Sequence, residues 1–195
     1  MKSNFDFLDN EFPVLAQFGK KAELYLYSDS NSCLMKLGMI GETVVNLMFT
    51  YDRITLPAEN TAVNRIVVLF REGLLTQDLV DILHALRKVR NKAVHENYAS
   101  VADGKVLLQM AHSLCEWFMQ TYGDWNYKNK PFILPADLPV EASTDTGAEQ
   151  EHEKQLSKEA EEKAAASDSV AKEKRRSDPH KNTATIKKIG PQRKS

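Results

Sequence analysis

The stretch CLMKLGMIGETVVNLMFTY, residues 33–51, decides how this chain folds. Leu34, Leu37, Ile40, Val44, Leu47 and Met48 recur mostly three or four residues apart, so they trace one face of a helix. Gly38 and Gly41 interrupt that face, and a glycine costs roughly 1 kcal/mol relative to alanine inside a helix. Two glycines so placed predict the close approach of another helix rather than a ligand contact. Just upstream, SDSNS (28–32) reads as a turn rich in N-cap residues.

Working outward, the same period repeats. Residues 4–9 form a capped lead-in, and Pro13 stands near a helix start, where its missing N–H does no harm. Helices are expected over 14–27, 33–51, 77–96 and 101–122, with a short one over 63–71 that ends at Gly73. Gly123 closes the last of them. No Asn-Gly or Asp-Gly turn separates two alternating runs. The expected fold is all-α, a helical bundle with four main helices and a short one. The helical domain spans 1–126. A proline-containing exit segment follows over 127–140, and its KPFILPADLP run is expected to lie across the body through Phe132, Ile133 and Leu134. Residues 141–195 make a low-complexity charged tail, frayed helix or disorder rather than a second core.

Charge divides the chain in the same places. The chain has 195 residues and a formal net charge of −1. Residues 1–140 carry 14 basic and 16 acidic side chains, 141–171 carry 3 and 9, and 172–195 carry 9 and 2. All 16 aromatic residues precede residue 141. A basic end without aromatic interleaving supports weak phosphate binding at most.

Several function classes fall away. No Walker A, dinucleotide-fold, nucleophile-elbow or H-E-x-x-H motif is present, and no Cys/His spacing suits zinc. No metal or cofactor is therefore expected. Cys33 and Cys115 sit in apolar surroundings and read as buried free thiols of a reducing, cytoplasmic compartment. The start has no signal-peptide pattern, no apolar run approaches the ~18 residues of a membrane span, and no membrane partner is expected.

Chemistry concentrates in LHALRKVRNKAVHE, residues 83–96. With Leu79 at zero and roughly 100° per residue, Ile82, Leu83, Leu86, Val89 and Ala93 form a core stripe. His84, Arg87, Asn91 and His95 share a polar flank. Arg90 falls inside the apolar stripe, where a charge must be paired or must reach solvent. Pairing with Glu42 or Glu23 is the structural reading. In the other reading Arg90 meets Asn91 and His95 in a cleft. A guanidinium fork suits phosphate oxygens and an imidazole suits proton transfer near neutrality, so such a set could cleave RNA without metal. Arg87, His84 and Glu42 would support it. Elsewhere, His112 reads as a helix-face histidine, and Trp117, Phe118 and Tyr122 read as core and helix-end packing.

Arg90-Asn91-Lys92-Ala93-Val94-His95 resembles the R-x4–6-H motif of the HEPN superfamily. Four segments in order extend the likeness over about residues 4–124: NFDFLDNEFPVLAQFGKKAE, SCLMKLGMIGETVVNLMF, LHALRKVRNKAVHE and LLQMAHSLCEWFMQTYG. Together they resemble the N-terminal helical domain of type I restriction–modification R (HsdR) subunits. The resemblance implies a helical bundle that is often dimeric, with restriction–modification subunits, RNA or DNA as partners. It also implies metal-independent ribonucleases among its relatives, with Arg90, Asn91 and His95 as the catalytic set. Where the related segment commonly reads K-L-R, this chain has Lys36-Leu37-Gly38, one charge fewer beside the cleft. Neither the nuclease domain nor the motor of an R subunit is present in the sequence. Three readings follow: a binding or assembly module in nucleic-acid defence, a free-standing toxin-like ribonuclease, or the remnant of a truncated restriction gene.

Overall fold

Asp29 is the one residue between α1 (Pro13–Ser28) and α2 (Ser30–Tyr51) in the computed structural model, which describes residues 2–137. The five-residue turn expected from SDSNS thus collapses to a single hinge. Asp29 (φ −148°, ψ 79°) accomplishes this with side chain and main chain together: its carboxylate accepts from the Ser32 N–H at 3.0 Å and from Ser32 Oγ at 2.6 Å, while its own N–H donates to Tyr25 O at 2.9 Å. One side chain caps the second helix while its main chain closes the first, so α1 and α2 fold back as an antiparallel hairpin.

The remaining helices are α3 (Ala62–Arg71), α4 (Gln77–Glu96) and α5 (Val101–Tyr122), with a single 3-10 turn at Asp6–Leu8. Among the described residues there is no strand, and the all-helical reading holds with four long helices and one short. Thr61 and Ser100 cap α3 and α5 through their hydroxyls. Gly73 (φ 73°) supplies the left-handed residue just after α3. Pro13 stands at the first turn of α1.

Helix α2 is the central element and packs against α1, α4, α5 and α3. Leu34, Leu37, Ile40, Val44 and Met48 are buried, as their spacing predicts, whereas Leu47 is only half-buried against the core. Each such buried side chain contributes about 1.5–3 kcal/mol of transfer free energy. Among the described residues α2 is the one helix long and apolar enough to cross a membrane, which corrects the expectation that no stretch comes close, but 61% of its apolar window is buried inside the bundle. A core helix that is covered on several sides has this composition.

Both glycines of α2 face α4. A methyl on Gly41 would meet Leu86 at 3.5 Å, and one on Gly38 would collide with Arg90. Cys33 and Cys115 are buried and unbridged, and burial pushes the Cys33 thiol up to about 12 and raises Cys115 too. Phe118 is buried and Tyr122 stacks on it with centroids 4.8 Å apart, so these aromatics serve packing as expected.

The exit segment follows the body, but not through the residues expected to hold it. Phe132 packs against the core, whereas Ile133 is 72% exposed and Leu134 is exposed as well. The main chain around Ile133 makes the attachment instead. Residues 138–140 and the charged tail 141–195 lie outside the described residues.

Candidate functional site

The polar side chains singled out on α4 divide into three groups. Arg90 belongs to the α2–α4 interface. Its Cβ and Cδ lie over Gly38, whose missing side chain leaves them room, and its Nη1 reaches Glu42 Oε1 at 3.3 Å. The Arg90 side chain is 27% exposed and the Glu42 side chain 42% exposed. An arginine on an apolar stripe has thus laid its stem on a glycine and carried its charge to a carboxylate at the rim. Of the two expected partners Glu42 is the one used. Glu23 accepts instead from Ser3 Oγ and Asn4 Nδ2, both at 2.5 Å, and from the Asn4 N–H at 3.1 Å.

Arg87 and His84 form the second group, one turn apart and both half-buried. The Arg87 Nε is buried and has no hydrogen-bond partner among the described residues. Burial lowers the His84 imidazole below its ordinary range. The cations of Arg87 and Lys88 lower it further, and Asp81 opposes them. Burial and the neighbouring cations thus both disfavour a charged His84 ring.

Asn91 and His95 make the third group. Asn91 is half-buried, and His95 is exposed in the last turn of α4. Neither is joined to Arg90 or to Glu42 by a hydrogen bond or ion pair among the described residues. The end of the helix is fixed by other means. Asn97 adopts the left-handed conformation (φ 51°, ψ 34°), and the Tyr98 N–H donates to Lys92 O at 3.2 Å. Asn31, at the start of α2, donates from Nδ2 to both Ala93 O (2.9 Å) and Tyr98 O (2.8 Å). Asn31 escaped the sequence reading because its acceptors lie more than 60 positions away, although Asn97 after the last apolar residue is a local stop signal.

Beside this flank, α4 and α5 part to leave a groove of about 290 Å³. Ala85, Val89, Leu107 and Met110 form its floor, with Lys88, Lys92 and Asp103 among its lining residues. It includes none of Arg90, Asn91 or His95. Lys92 also lies over the Tyr98 ring, 5.5 Å from its centroid. Among the described residues no group of three His, Cys, Asp or Glu side chains converges to hold a metal.

His112 departs from its sequence reading. It is not displayed on a helix face but buried, 2% exposed, with Phe5, Phe7 and Phe132 around it and Glu116 Oε2 at 3.7 Å from its Nδ1.

Two similarities frame this geometry. A family model described as a domain of unknown function, DUF4145, matches residues 20–167. The type I restriction enzyme EcoKI endonuclease subunit of Escherichia coli (strain K12) is 27% identical over 135 residues, 69% of this chain and 11% of that protein. The chain thus spans about a tenth of the length of the curated relative it matches. No solved structure gives a significant match.

Proposed function

The chain belongs to the DUF4145 family, and on that premise we propose that it is a binding or assembly module of a type I restriction system, without chemistry of its own. The observation that carries this reading is the seat of Arg90. Its stem lies on Gly38 and its charge is paired with Glu42, so the residue that would have to hold a phosphate serves the α2–α4 interface. A general acid or base is normally held in place by a neighbour, and His95 stands exposed at a helix end. The likeness to a restriction endonuclease subunit supplies the partner class, the other subunits of a type I enzyme. Light scattering on the chain mixed with a type I modification complex tests this. One mass equal to the summed components supports it, and unchanged separate masses contradict it.

A second reading keeps the chain within the HEPN superfamily as a metal-independent ribonuclease whose site is completed by a second copy. It is favoured by the placement of His84, Arg87, Asn91 and His95 along one flank of α4 with His95 open to solvent. In that scheme His95 moves the proton of the attacking 2′-hydroxyl or of the leaving oxygen. A partner's guanidinium would hold the phosphate.

A further inference from the structure

The segment after α5 is gripped mainly by its main chain. Asn4 donates from Nδ2 to Ile133 O at 2.8 Å and accepts from the Ile133 N–H at 2.9 Å, pairing with it as a neighbouring strand would. Tyr27 donates its hydroxyl to Pro135 O at 2.8 Å. Gln120 Nε2 donates to Tyr127 O at 3.0 Å. Glu116 Oε1 accepts from the Lys130 N–H at 2.7 Å and from the Tyr127 hydroxyl at 3.2 Å. Two rings anchor the segment: Tyr127 stacks on Phe7 with centroids 4.8 Å apart, and Phe132 lies 5.4 Å from the His112 ring. A segment held this way can detach while the helices stay folded, since few apolar side chains are uncovered.

His112 and Glu116 sit beneath the attachment. Glu116 faces the imidazole from the same helix. Glu23 acts on it from α1, the Asn4 main chain faces it from the N-terminal lead-in, and Tyr127 reaches the shared Glu116 from the segment. Phe5, Phe7 and Phe132 exclude water from the ring.

We propose that residues 127–135 form a releasable clasp over α5, closed while His112 is neutral and opened when His112 takes up a proton. In the closed form, burial holds the imidazole below its ordinary 6.5, and the nearby Glu116 and Glu23 charges oppose this without overcoming it. Opening hydrates the ring and returns it toward its ordinary value. The open form therefore binds the proton more tightly, and acidification favours opening. The effect begins near pH 6.5 and saturates once the pH is below the value of the clasped ring. One proton can change the opening constant by at most about tenfold per pH unit.

Hydrogen exchange on the full chain at pH 7.5 and 5.5, corrected for intrinsic rates, reads the clasp at the Lys130 and Ile133 amides. Protection there should drop several-fold at pH 5.5 while α2 and α4 keep theirs. In His112→Gln it should not change with pH. Equal protection at both pH values in the wild type, or the same loss in His112→Gln, overturns the proposal. Should His112→Gln fail to fold, an NMR titration of His112 in Phe132→Ala gives a second test. Loosening the clasp should raise the His112 midpoint toward 6.5, and an unchanged midpoint overturns the proposal.

Discussion

Gly38 of α2 and Arg90 of α4 occupy a single contact: a methyl on Gly38 would lie 2.2 Å from Arg90 Cβ and 2.7 Å from its Cδ. The nearest atom is the root of the side chain, fixed to the α4 backbone, so no rotamer change relieves the clash. Three residues on, a methyl on Gly41 would meet Leu86 only at ordinary contact distance, 3.5 Å.

The two glycines should therefore respond oppositely to alanine. Gly38→Ala forces α4 away from α2 and should destabilise by about 1–3 kcal/mol, less the gain of roughly 1 kcal/mol in helix propensity. Gly41→Ala should be neutral or stabilising by up to about 1 kcal/mol. Urea denaturation of both variants checks the contrast, and equal effects would dismiss the interface described here.

Glu42→Gln removes the carboxylate partner of a pair that is partly open to solvent. It should cost no more than about 1 kcal/mol, with the loss shrinking as salt is raised. Thermal melts at low and high ionic strength give both quantities.

Asn31→Ala leaves two carbonyls near the end of α4 without their shared donor. The cost should be about 1–2 kcal/mol, at about 1 kcal/mol for each hydrogen bond. Hydrogen exchange should show faster opening at Tyr98, whose N–H closes that helix end, with little change in α5. A uniform effect over the whole bundle would argue against a cap.

Stability should fall in alkaline solution. Burial raises the Cys33 thiol to about 12 and also raises Cys115, Tyr122 and Tyr127. The unfolded chain loses these protons near their ordinary values, about 9 for thiols and 10 for phenols. The contribution is thus complete below about pH 9 and lost as the pH rises through the folded values. Cys33 and Cys115 should also resist iodoacetamide at pH 8 until denaturant is added, since little thiolate forms and neither is accessible. A denaturation midpoint that is flat from pH 8 to 11 would contradict this.

What the sequence made legible was local. The apolar spacing of Leu34 to Met48 fixes α2, Asp29 stands where an N-cap is needed, and Arg90 on an apolar stripe demanded a partner that proved to be Glu42. The Lys36-Leu37-Gly38 departure, read first as a lost charge, has a packing cause: Gly38 makes room for Arg90. What stayed hidden depends on residues far apart in the chain. Asn4 and Ile133 are 129 positions apart, and no local pattern marks an asparagine as a partner for a distant main chain. The burial of His112, read as a helix-face histidine, was hidden because the rings that enclose it come from both ends of the domain.

The most direct measurement on the central claim, that Arg90 serves the α2–α4 interface rather than chemistry, uses labelled RNA and purified full-length chain in EDTA. Wild type, Arg90→Ala and His95→Ala are compared at high protein concentration, and the product ends are analysed. The account predicts no cleavage above background by any of the three. Cleavage by the wild type to 2′,3′-cyclic phosphate ends, abolished in a folded His95→Ala variant, would contradict it.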